Sequence, residues 1–292
     1  MASLRDLKKR LQSVRTTGQL AGAMRTAATA KYARASGRLG ALSPYSEAFR
    51  EIAGLAERAV PDEPKRSRRD DKPNEEPPHT EIKAFLLISG NRGLCGGYNH
   101  ELFGFFAERL KETVGEYKLY TCGRMAREYC AEKGVAVSES FDIADVPSYE
   151  EARAVSDRLL ALYDEGAFAS VTIVYQRFHN MLKQTPDAKR FIPLDGETER
   201  DGEPPLFIPD AETVKRELLP LSLAADMYTL LLSCSSGAQA ATLLAMRSAY
   251  DNANTSAQLL ETAINRRRQA QVIPSTKLSR SPAKPLKLLA TN

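Results

Sequence analysis

LSLAADMYTLLLSCSSGAQAATLLAMRSAYDNANTSAQLLETAINRRRQAQVI, residues 221–273, is the stretch that decides how this chain folds. Pro220 stands where a helix accepts proline, in its first turn, and no other proline follows until Pro274. Between them only Gly237 interrupts a run rich in Ala, Leu, Met, Gln and Arg. At about 1.5 Å per residue, such a helix is on the order of 75 to 80 Å long, more than a compact domain buries by itself. Leu223, Met227, Leu230, Cys234, Gly237, Ala241 and Leu244 recur in steps of four and three, the spacing of a coiled-coil seam. Past Leu244 the seam is expected to slip by one and turn small and polar, through Ala245, Ala249, Asn252, Ser256, Leu259 and Ala263. A rod of this kind needs a partner helix.

The other end of the chain supplies it. Residues 3 to about 60 read as a second long helix, in which Leu4, Leu7, Leu11, Val14, Gly18 and Ala21 repeat the same steps. Alanines crowd the sequence from Ala21 to Ala35, so the two axes can approach closely as a thin antiparallel pair. Ser43-Pro44 predicts a bend or break. Residues 61–80 hold five prolines and eleven charged residues in twenty, a composition that buries nothing and predicts a disordered insert.

From Ile82 the periodicity changes to alternating strands and helices. Strands are predicted at Ile82–Ile88, Lys118–Thr121, Val135–Val137 and Val171–Tyr175. Helices are predicted at 98–114, Arg124–Lys133 and Ser148–Glu165, the last opening on a capping box of Ser148 and Glu151. Gly196–Pro205 reads as a polar connector, and Asp210-Ala-Glu-Thr as the cap of a short helix ending near Pro220. The fold class is α/β: a long antiparallel coiled coil of N- and C-terminal helices with an inserted Rossmann-like parallel-sheet domain. The expected divisions are a helix at 1–60, the insert at 61–80, the sheet domain at 81–205, the second long helix at 206–273 and a basic tail at 274–292.

Charge and cysteine narrow the function. The net charge of +4 is mild, but residues 1–46 carry nine Lys/Arg against the single acid Asp6, and no acid follows Glu261. Basic ends admit nucleic acid, an anionic membrane or an acidic protein partner. Cys95, Cys122, Cys130 and Cys234 form no C-x-x-C pair and no metal spacing with His79, His100 or His179, which fits a reduced, cytosol-facing protein. Apolar runs such as Ala84–Ile88 are far too short to span a bilayer. The Arg-rich start has the look of a transit peptide, yet its heptads run unbroken into the first helix, and it reads as mature protein.

One motif tempts toward chemistry. Ser89-Gly-Asn-Arg-Gly-Leu-Cys-Gly-Gly-Tyr-Asn99 follows a strand and opens a helix, where phosphate-cradling loops sit. Its glycines match neither G-x-G-x-x-G nor G-x-x-x-x-G-K-[ST], and a tight structural turn accounts for them. Cys95 reads as a small buried thiol and His179 as a surface residue. No catalytic residue, cofactor site or metal site emerges. A nucleotide-dependent enzyme then lacks its catalytic groups, and a nucleic-acid binder lacks aromatic or Arg-rich interleaving on the strands. A mechanical or scaffolding subunit built around the helix pair explains most of the pattern.

Three stretches, in order, resemble the gamma subunit of the F1 part of ATP synthase, the central rotor shaft. The first is Ser13-Val-Arg-Thr-Thr17 with Ala23-Met24, Ala30-Lys31 and Pro44-Tyr45. The second is Arg92-Gly-Leu-Cys-Gly-Gly97 with Asn99, and the third is Gln239-Ala-Ala241, Ala245-Met246, Asp251-Asn252 and Arg268-Gln-Ala270. Gln184-Thr-Pro186 and Ile192-Pro-Leu194 extend the likeness over nearly the whole chain.

The resemblance implies a non-catalytic rotor without cofactors. Its partners would be the F1 alpha and beta subunits, epsilon and the membrane c ring, with no nucleic acid. The complex would hold it on the cytoplasmic face of a bacterial membrane. It further implies that Met24, Lys31, Arg268 and Gln269 contact the alpha/beta ring, whose acidic loops the basic ends would meet. Three departures stand out. Asn91 replaces the family's Asp, Ala238 and Thr242 replace its Glu and Arg, and Val272–Ser279 replaces its polar C-terminal run. The cysteine pair of the redox-regulated chloroplast form is not seen near Asp195–Glu203. Three prolines at 274, 282 and 285 predict that the helix ends near Ile273 and that the tail beyond is flexible or extended.

Overall fold

The structure, a computed structural model, describes residues 3–59, 82–193, 207–208 and 210–278. The Pro-rich insert at 61–80, the connector at 196–205 and the tail beyond Leu278 lie outside the described residues. The chain divides into two compact units: Met1–Met24 with Met246–Asn292, and Arg25–Ala245.

The larger unit holds a five-stranded sheet in the order β3-β2-β1-β4-β5. Its strands are β1 (Lys83–Ile88), β2 (Tyr117–Cys122), β3 (Glu139–Phe141), β4 (Ser170–Asn180) and β5 (Lys183–Ile192). The first four pair in parallel, through crossovers over α2 (Tyr98–Glu112), α3 (Arg124–Lys133) and α4 (Tyr149–Asp164). β5 returns antiparallel along β4 as a hairpin. Each face of the sheet is covered, which is why β1 is buried at every position but its first. On one face Leu86, Ile88, Val171 and Ile173 pack with Leu159 of α4 and with Leu223, Met227 and Leu231 of the last helix. On the other, Phe85, Leu87 and Leu119 meet Leu102 and Phe106 of α2 and Ala126 of α3. The predicted capping box is present: the Ser148 hydroxyl accepts from the Glu151 amide, and the Glu151 carboxylate accepts from the Ser148 amide.

The structure departs from the sequence reading in several places. The third strand is Glu139–Phe141 rather than Val135–Val137, because the chain after α3 closes first on the left-handed Gly134. β5 was not expected; its polar sequence and Pro186 suit an edge strand held mainly by backbone pairing. Helix α1 (Leu4–Ala59) runs through Pro44 without a break. Helix α5 (Ala211–Leu278) starts at the Asp210 cap, passes through Pro220 and continues past Pro274. A proline inside a helix costs about 3 kcal/mol. Burial offsets that cost after Pro220, where every residue from Ser222 to Met227 is buried and Leu223 and Met227 enter the sheet core.

In the smaller unit the ends of α1 and α5 run antiparallel. Arg15 pairs with Glu261 at 2.5 Å, Gly18 faces Ala253, and Gly22 faces the Tyr250 ring. A Cβ on Gly18 would lie 3.1 Å from that of Ala253. The predicted α1 seam holds, with Gly18 and Ala21 buried and the leucines before them half-buried. In the larger unit it goes on through the buried Ala28 and Ala35. The α5 seam is corrected. Up to Leu244 it follows the predicted residues, but beyond them it runs through Met246, Tyr250, Ala253, Ala257, Leu260 and Ile264. Leu259, placed inward by the sequence reading, is 67% exposed, while its neighbour Leu260 takes the inner position.

Among the described residues, α5 alone contains a stretch long and apolar enough to cross a membrane. Over half of that stretch is buried within the protein, against the sheet core.

Candidate functional site

In an open parallel sheet, ligands sit outside the carboxyl ends of the strands, where the strand order reverses. Here that point lies between β1 and β4. Three segments leave the sheet there: the loop after β1, the loop after β3 and the β4–β5 hairpin. The first closes on α5, and the other two reach both long helices.

The β1 loop carries the glycine-rich motif. Leu94 and Gly96 take φ of 62° and 60°, turning the chain so that Cys95 and Tyr98 are buried. The Tyr98 hydroxyl donates to the Cys234 carbonyl of α5 at 2.9 Å, and the buried Gln176 amide donates to the Tyr98 carbonyl at 2.8 Å. A Cβ on Gly237 would lie 3.0 Å from the Tyr98 ring and 3.3 Å from Gln184, so any larger residue would press on both where α5 lies this close. The Ser89 hydroxyl accepts from the Ala126 amide, and Asn91 accepts from the Arg124 amide, so the first turn of α3 is already capped by protein. The crevice that would hold a dinucleotide is thus filled by the chain's own helix, and the motif works as the tight structural turn expected of it. Burial pushes the Cys95 thiol up, and the Cys234 thiol up to about 12, neither a nucleophile's setting. His179 is exposed and pairs with Thr185 across the hairpin.

The hairpin reaches both helices. Phe178 meets the Tyr32 ring of α1 edge-on at 6.1 Å, and its amide donates to the Ser233 hydroxyl of α5. The β3 loop does the same through one residue, Asp145. Its carboxylate pairs with Lys31 of α1 at 2.5 Å and with Arg92 of the β1 loop at 3.2 Å. Its carbonyl accepts from the Ser235 hydroxyl of α5. Burial opposes ionisation of Asp145, but the hydrogen bond and charge of Lys31, with Arg92 and Asn91, hold the carboxyl below its ordinary range. It is therefore a carboxylate throughout the physiological pH range.

Beside Asp145 lies a polar cleft of about 460 Å³ lined by Asn91, Arg92, Arg124, Arg127, Asp142, Ile143 and Asp145. Its three guanidinium groups are each answered by a carboxylate: Arg92 by Asp145, Arg124 by Glu128 and Arg127 by Asp142. No group of three or more potential metal ligands occurs among the described residues.

The four residues singled out from the sequence do not form one site. Met24 is half-buried beside the α1 seam, and Lys31 is drawn inward to Asp145. Arg268 and Gln269 are exposed on α5. Tyr250, level with Gly22, lies eighteen residues before Arg268, or about 27 Å at 1.5 Å per residue. Sequence reasoning missed Asp145, Ser235 and the hairpin. Ile143-Ala-Asp-Val146 carries no motif, and only the fold brings Asp145 to both helices.

Comparison with known proteins gives a consistent result. A family model described as ATP synthase matches residues 3–274. The ATP synthase gamma chain of Moorella thermoacetica is 32% identical over 276 residues, covering 93% of this chain and 95% of its own. That of Mycolicibacterium gilvum is 34% identical over 301 residues, covering 93% and 94%. Among solved structures, a chain of the Euglena gracilis mitochondrial ATP synthase rotor superposes with a TM-score of 0.62 at 16% identity, over 92% of this chain and 98% of that one. A chain of the Tetrahymena thermophila mitochondrial ATP synthase central stalk and c ring gives 0.57 at 18% identity, over 79% and 99%. These two likenesses are of fold.

Proposed function

The chain belongs to the ATP synthase gamma family, and from that membership we propose that it is the non-catalytic central-stalk rotor of an F-type ATP synthase. It couples ion flow through a membrane c ring to synthesis or hydrolysis of ATP by the alpha and beta subunits. The observation that carries this reading is the smaller unit. Its described residues are the ends of α1 and α5, an antiparallel pair in which Gly18 and Gly22 meet Ala253 and Tyr250 at close quarters, and no strand or further helix occurs among them. An asymmetric rod of this kind, turning inside a ring, biases each surrounding subunit in turn between open and closed states. Alpha and beta subunits surround it, epsilon and the c ring complete the rotor, and the complex lies on the cytoplasmic face of a bacterial membrane. Met24, Arg268 and Gln269 face the ring, and Lys31 belongs to the same contact set with its ammonium shared with Asp145. Affinity capture of the tagged chain from its host tests the reading. Recovery of alpha, beta and epsilon supports it; recovery of nucleic acid or an unrelated partner refutes it.

A substitution follows from the same reading. Met24→Lys is expected to reduce ion pumping about fivefold, the equivalent of about 1 kcal/mol, and ATP hydrolysis by much less. Both activities are measured on the complex in sealed vesicles. Equal loss of both would make Met24 a packing residue only.

A further inference from the structure

We propose that Asp145 is a positioning residue for coupling, locking both long helices to the sheet so that turning one turns the other. This rests on the rotor reading. Other contacts at the crevice join the sheet to one helix each or through an aromatic edge. Asp145 presents charge to α1 and a backbone acceptor to α5: Lys31 at 2.5 Å on its carboxylate and the Ser235 hydroxyl on its carbonyl. Both contacts come from a loop that is itself held, because Asn91 donates to the Ile143 carbonyl at 2.6 Å. Glu151 accepts from the Ala144 amide at 2.7 Å while completing the α4 capping box. The carboxylate is 17% exposed and the Lys31 side chain 23%, so the pair is only partly screened by solvent. Arg92, 68% exposed, shares the same oxygen and keeps the carboxylate charged and oriented. A loop tied at its base and tied to two helices at its tip resists sliding and rotation of either helix against the sheet. Greasy packing resists separation of surfaces but opposes sliding only weakly, because it is non-directional.

The test uses the assembled complex in vesicles, with ions pumped per ATP hydrolysed as the readout, alongside complex yield and thermal midpoint. Asp145→Asn keeps the shape and the carbonyl but removes the charge. It is expected to lower the pumping ratio about fivefold, the lower end of typical coupling effects, with yield retained. Asp145→Glu is expected to restore most of the ratio. In a Lys31→Met background, Asp145→Asn is expected to add little, because both changes remove the Lys31 pair and only the solvent-exposed Arg92 contact is left to lose. The proposal is overturned if Asp145→Asn pumps like the unaltered complex, or if the two changes add independently. It is overturned equally if Asp145→Asn abolishes assembly, which would make the pair a folding contact. Failure of the unaltered chain to assemble with alpha and beta would instead sink the rotor reading itself.

Discussion

Gly123→Ala is expected to destabilise the sheet unit by about 3 to 5 kcal/mol, among the largest effects a single methyl can have. Gly123 joins β2 to α3 at φ 95° and ψ 149°, a conformation that side chains rarely adopt. A Cβ there would lie 2.4 Å from the Ser89 carbonyl oxygen. Ser89 cannot retreat, since its amide donates to the Cys122 carbonyl at 2.9 Å and its hydroxyl accepts from the Ala126 amide at 2.7 Å. At about 2 to 4 °C per kcal/mol for a unit of this size, the melting point falls on the order of 10 °C. Gly93→Ala, where a Cβ meets nothing within 4 Å, is the control and is expected to cost under about 1 kcal/mol. Thermal unfolding of the two variants side by side checks the difference, and equal melting points would refute the argument.

Truncation gives the second large effect. Deleting residues from Arg266 onward removes the half-buried Arg267 together with the exposed Arg268 and Gln269. Counting back from the Arg15–Glu261 pair, this end of α5 lies level with the first turns of α1, where Leu4 and Leu7 are half-buried. Uncovering them costs about 1 kcal/mol each and frays the pair from its end. Coupled activity is expected to fall roughly tenfold, the equivalent of about 1.4 kcal/mol. Deleting only 274–292 leaves the seam through Ile264 and Arg267 in place, and assembly with most of the ATP hydrolysis is expected to survive. Loss of assembly on removing that short piece alone would show that the tail is a structured element of the complex.

The elements legible in the sequence were those whose burial is periodic. Arg124–Lys133 was placed to the residue, and the Ser148–Glu151 box predicted the start of α4, because each rests on a local pattern. The first half of both seams was legible for the same reason. The second half of the α5 seam was misplaced by one residue where two leucines, 259 and 260, compete for a single inner position. Proline misled three times, at 44, 220 and 274, since a local penalty says nothing of what the rest of a long helix packs against, as Ser222–Met227 do after Pro220. β5 was invisible because Lys183-Gln-Thr-Pro-Asp-Ala-Lys-Arg190 is polar and held mainly by the backbone of its neighbour. The motif loop was read correctly as a turn, but not what the turn is for. Its contacts with Cys234 and Gly237 span well over a hundred residues of chain, and Asp145 reaches Lys31 across a similar gap.

A helix seated where such sheets seat a cofactor behaves as a ligand that can never leave. Tethered by its own chain, α5 occupies the crevice at an effective concentration far above that of any free metabolite. A nucleotide would have to displace Tyr98, Gln184 and Gly237 from one another before it found room. The sheet is in that sense permanently saturated. A part that helps to set nucleotide affinity elsewhere gains from this, since its own stiffness then stays the same whether the cell is rich or poor in ATP.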